Sequence, residues 1–66
     1  MELIMINLGR NNVNKTIVVK NEEAIWKELS KHIMSRGIEL FETDEPNKYD
    51  VIVGMFRCVG QVIIKD

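Results

Sequence analysis

The apolar residues of this chain fall into one stretch with a helical period, flanked on both sides by short runs of branched residues. Ile25, Trp26, Leu29 and Ile33 recur at the spacing that puts side chains on one side of a helix. Asn21 stands just ahead of them, where its side-chain oxygen can accept from an orphan backbone N–H of the first turn. Glu22 and Glu23 put negative charge at the positive end of the helix dipole, and Lys31 and Arg36 put positive charge near the other end. Gly37 follows at the position where chains leaving a helix turn left-handed. The pattern predicts a helix from Asn21 to Gly37, with Trp26 as its anchor in the core.

The remaining runs predict strands. Glu2 to Leu8 is short and rich in branched apolar residues. Gly9 to Asn14 is a turn of Gly, Arg and Asn, and Lys15 to Lys20 is a second strand by β-branching. Together they predict an antiparallel hairpin. Ile38 to Thr43 is a third strand, and Asp44 to Lys48 is a turn in which Pro46 holds Glu45 extended. Tyr49 to Phe56 is a fourth strand, Arg57 to Gly60 a tight connection, and Gln61 to Lys65 a fifth strand. The alternative for the last segment is one long bent strand from Tyr49 to Lys65, with Gly54 and Gly60 as bulges.

The order ββαβββ implies a single α+β domain, residues 1–66. Its architecture is a two-layer sandwich of a mainly antiparallel sheet, four to five strands wide, with one helix on one face. Five strands about 4.8 Å apart span about 19 Å between their outer axes. A helix about 10–12 Å thick covers part of one face only. Yet the strands are apolar on both sides: Ile4, Ile6 and Leu8 oppose Leu3 and Met5, and Val51, Val53 and Met55 oppose Ile52 and Phe56. Val62 and Ile64 likewise oppose Ile63. Strands apolar on both faces are expected where both faces are covered. A second copy of the chain or another protein is therefore expected against Leu3, Met5, Phe41, Ile52, Phe56 and Ile63. The first or last strand, if left at an open edge, offers another docking place.

Composition narrows the function classes. The chain has 66 residues, a 45% hydrophobic fraction and a formal charge of −1. The first makes it a marginal domain for which association helps; the second excludes disorder. The charge gives no general attraction to nucleic acid or an anionic membrane. Glu2 stands where a signal peptide carries a base, and the first apolar run is too short to cross a bilayer. The expectation is a cytoplasmic protein without membrane association. The wealth of Ile, Asn and Lys suits an AT-rich genome, such as that of a low-GC bacterium or its virus, which would place the protein in the host cytoplasm.

Few residues offer chemistry. One cysteine, Cys58, and one histidine, His32, make neither a disulfide nor a complete zinc site. They are the only nucleophile–base candidates, and the chain around them fits a helix-borne structural histidine and a loop thiol. Glu39, Glu42, Asp44, Glu45 and Asp50 form an acidic stretch without the spacing of a calcium loop. Arg10, Lys15 and Arg57 lie in or beside turns, where neighbouring hairpin ends would gather them into a small basic patch for an anion or nucleic acid. Isolated glycines make no phosphate loop. No catalytic, cofactor or metal site is expected.

The reading these features favour is a non-enzymatic protein-interaction module: a homodimeric inhibitor, adaptor or regulator that acts by covering a partner protein's surface. In size and element order it is loosely similar to many small phage-encoded proteins that block a host enzyme or defence factor. The alternatives are a weak nucleic-acid-binding regulator using Arg10, Lys15 and Arg57, and a small enzyme with its site at a dimer interface.

Overall fold

The structure, a computed structural model, describes residues 1–34 and 37–66. Its elements are β1 (Glu2–Leu8), β2 (Val13–Val18), α1 (Glu22–His32), β3 (Glu39–Glu42), β4 (Lys48–Val53) and β5 (Arg57–Lys65). The expected ββαβββ order holds, and all five strands form one antiparallel sheet in the order β2-β1-β5-β4-β3. The first and last strands are therefore internal neighbours, not edges; the edges are β2 and β3. Each adjacent pair is antiparallel, so the two edge strands run parallel to each other. Only a crossover can join such strands, and α1 makes it across one face.

The helix starts as its cap chemistry dictates: Asn21 has extended backbone and its Oδ1 accepts from the Ala24 N–H at 2.9 Å. The preceding chain is tied back to the sheet by the Val19 N–H, which donates to the Met1 carbonyl at 2.9 Å. The helix ends four residues earlier than the sequence pattern suggests. Ile33 turns extended (φ −129°, ψ 116°) while its N–H still reaches the Leu29 carbonyl at 3.1 Å, and leaving the helix there keeps its side chain in the core. Gly37 does take positive φ, +69°, but in the approach to β3 rather than as the helix stop. The expected role of Arg36 at the helix end lies outside the described residues.

The core is Leu3, Met5 and Leu8 of β1, Val51 and Val53 of β4, Val62 of β5, Ile25 and Leu29 of α1, and Val19 and Ile33 from the connections. Truncating a fully buried leucine such as Leu29 to alanine costs about 2–5 kcal/mol. A domain of this length has a total stability of the order of 3–10 kcal/mol, so single core positions matter. Trp26 is not the anchor the sequence suggested. At about 100° per residue it stands on the shoulder of the Ile25–Leu29 stripe, and about a third of its surface, 36%, stays exposed.

A bulge decides on which side of β1 Leu8 falls. Asn7 takes positive φ (+48°), and its N–H leaves the ladder to donate to Asn14 Oδ1 at 3.1 Å. Asn14 Nδ2 donates in return to Asn7 Oδ1 at 3.1 Å and to the Asn12 carbonyl at 3.0 Å. The extra residue moves Leu8 onto the face of Leu3 and Met5, away from Ile4 and Ile6 with which simple alternation groups it. Leu3 and Met5, expected at an interface, are completely buried under the helix. Either face of β1 was apolar enough to be covered, and its pairing to β5 settles which one is.

The last segment is a hairpin, with its turn three residues earlier than expected. Val53 pairs with Arg57 across Gly54-Met55-Phe56, so Arg57 to Gly60, expected as the connection, are the first four residues of β5. Gly54 (φ +57°) and Phe56 (φ +62°) supply the left-handed backbone. For a bulky residue such as Phe56 that conformation costs about 1–2 kcal/mol. Gly60 serves a different need. A Cβ there would lie 2.8 Å from the Asn7 carbonyl oxygen and 2.8 Å from Leu8 Cα, so the two central strands close up only because the side chain is missing.

Gly60→Ala is therefore expected to destabilise the fold by at least about 2 kcal/mol, since strain and backbone overlap add. Gly54→Ala, with open space around it, should cost only about 1 kcal/mol. Urea unfolding of both variants checks the difference, and equal midpoints would contradict this account of the β1–β5 contact.

Candidate functional site

Two surfaces follow from this fold. The first is the sheet face opposite the helix. Register places Thr16, Ile4, Ile63 and Lys48 in one cross-strand row, and Ile6, Gln61, Asp50 and Phe41 in the next. Cys58, Ile52 and Glu39 form a third, and Val18, Glu2 and Lys65 a fourth at the far end. The face is mixed. Ile4, Ile6, Ile52 and Ile63 are half-buried, Phe41 is exposed, and Gln61 Nε2 donates to Asp50 Oδ1 at 2.8 Å among them. Of the expected interface residues, Phe41, Ile52 and Ile63 stand here. Phe56 instead sits at the β4–β5 turn, 80% exposed beside the 95% exposed Met55. Ile4 and Ile6 take the places expected of Leu3 and Met5.

The second surface is a groove of about 490 Å³ where three segments meet: the β1–β2 turn, the end of α1 and the start of β5. Gly9 holds them together. Its N–H donates to the Val59 carbonyl at 2.8 Å, and a Cβ on it would overlap the His32 carbonyl oxygen. With φ +72° the residue is committed to glycine twice over. Arg10 and Arg57 line this groove together, as adjacent hairpin ends would require. Lys31 and His32 join them, and sequence reasoning had not connected those two with the arginines. Lys15 does not belong to the group: it lies opposite Met5 further along β2.

Glu28 sets the electrostatics at the edge of the groove. Its Oε2 lies 3.0 Å from His32 Nε2, and its Oε1 accepts from Lys31 Nζ at 3.2 Å. The hydrogen bond with His32, ahead of the bond and charge of Lys31, holds the Glu28 carboxyl below its ordinary value of 4.5. The Lys31 side chain is 69% exposed, so that pair contributes little to stability.

The other candidates are dispersed. His32 belongs to the helix side of the sheet. Cys58 lies on the opposite face, its Sγ 3.4 Å from the Gly60 carbonyl, so the two are not brought together. The acidic residues are split: Asp50 and Glu39 stand on the open face, whereas Glu45 pairs with Lys48 at 3.5 Å in a turn organised by Thr43. Among the described residues no group of acids, histidine and cysteine could hold a metal ion, and no helix is long and apolar enough to cross a membrane. No protein-family model matches the chain, and no curated protein or solved structure matches it at a significant level.

Because Glu28 is more acidic folded than unfolded, its contacts contribute stability that is present above about pH 4.5 and is lost as pH falls through the lowered value. Carboxyl NMR titration should place the Glu28 midpoint below 4.5. His32→Ala should raise it more than Lys31→Ala does; the reverse order would assign the shift to the wrong partner.

Proposed function

We propose that this chain is a protein-interaction module that acts by binding rather than by catalysis, and that its open sheet face seats a second copy of itself. The observation that supports the reading is the set of apolar residues Ile4, Ile6, Ile52, Ile63 and Phe41 on the face the helix leaves uncovered, with Ile4 and Ile63 paired directly and the Gln61–Asp50 hydrogen bond lying between Ile6 and Phe41. A second copy suits the charges around this group. In a twofold contact one patch meets itself, so it must carry both signs. Glu2, Glu39 and Asp50 share the face with Lys48 and Lys65.

Size limits the strength of such a dimer. A sheet face of about 19 by 20 Å is small beside the roughly 800 Å² that each partner buries in a standard stable interface. The dimer is then reversible, and it leaves the Met55–Phe56 tip available for a different protein. Blocking or adapting a partner's surface, in the manner of small phage-encoded inhibitors and regulators, needs no more than this.

Sedimentation across a concentration series tests the reading. The protein should pass from one chain mass to two, and Ile63→Lys should stay at one with an unchanged helical signal. A wild-type chain that remains monomeric up to millimolar concentration would sink the proposal.

A further inference from the structure

The geometry points to the groove at the end of α1 as a binding site for a phosphorylated small molecule with an apolar or aromatic body, the chemistry of a nucleotide. This goes beyond self-association and does not depend on it, because the groove opens on the helix side of the sheet.

Three observations carry it. First, Arg10, Arg57 and Lys31 converge on one concavity from three separate segments, and among the described residues no acidic side chain lines it. Glu28 is engaged with Lys31 and His32 at the edge. Among the described residues, neither arginine makes an ion pair. Two guanidinium forks present the paired donors that match phosphate oxygens, whereas the Lys31 ammonium is already paired with Glu28 and adds less.

Second, much of the remaining wall is apolar: Val13, Ile33, Met34 and Val59 line the same space beside Asn11 and His32, and Met34 is fully exposed. A bare anion would leave that wall in water, whereas a base or other flat body would cover it. The volume, about 490 Å³, lies within the range of roughly 300–1,000 Å³ typical of small-molecule sites.

Third, the floor is fixed. Gly9 is pinned between the Val59 carbonyl and the end of the helix, so the segments bearing the cations are held in place before any ligand arrives. A long polyanion is not favoured, because three cations at one end of the molecule would neutralise few phosphates along a strand.

Amide NMR titration of the full chain with ADP, inorganic phosphate, adenosine and a single-stranded oligonucleotide tests the site. ADP should give saturable shifts centred on Gly9, Arg10, Arg57 and Val59, tighter than phosphate and much tighter than adenosine. The Arg10→Gln/Arg57→Gln variant should bind ADP at least tenfold more weakly while keeping its dispersed spectrum. Lys15→Gln, which removes a charge outside the groove, should bind as the wild type does. The proposal is overturned if ADP shows no saturation by about 10 mM, or if Lys15→Gln weakens binding as much as the double variant. It is equally overturned if the oligonucleotide binds and ADP does not. Should the double variant unfold, Arg57→Lys replaces it: the lysine keeps the charge but loses the fork, and unchanged ADP affinity would again overturn the proposal.

Discussion

The fold depends on the first strand lying directly against the last. β5 is the central strand and β1 pairs along one side of it, so the β1–β2 hairpin and the β3-β4-β5 meander become one layer only where these two strands pair. This contact has the longest loop to close, because the helix and three strands intervene, and closure entropy has to be met before any ladder bond forms. The covering helix is the same device seen from above. It links two parallel edge strands and lays Ile25 and Leu29 over both halves.

Where the central strands are tightest, ordinary side chains are missing or diverted. Gly60 lies so close to Asn7 and Leu8 that no Cβ fits, and Asn7 leaves the ladder with Asn14 replacing the lost hydrogen-bond partner. The bulge has a large effect for a single residue. It brings Leu8 into the core beside Leu3 and Met5 and leaves Ile4 and Ile6 on the open side. A local irregularity thus moves one large apolar side chain from the open face into the core.

The two candidate surfaces have different physical origins. The open sheet face exists because one helix cannot cover both sides of five strands, and its isoleucines are what remains after the core has been filled. The groove exists because two turns and a helix end come together around Gly9. They lie on opposite sides of the sheet, so the proposed self-association and the proposed ligand binding would use different residues.

Local rules of the backbone made much of this architecture legible. The cap at Asn21, the branched runs and the turn residues all act within a few positions of themselves, and they specify one helix among five strands in the observed order. The Arg10–Arg57 association was also visible, because both stand at hairpin ends. Other features depend on partners distant in the chain. Strand order and the choice of the Leu3–Met5 face for the core depend on which strand pairs with β1, the turn at Gly54–Phe56 on the β4–β5 register, and the joining of Lys31 and His32 to the arginines on where the helix end meets the two hairpins. An apolar run that is equally apolar on both sides carries no mark of which side will be covered; that is decided only when a distant strand pairs with it and the helix closes over the result.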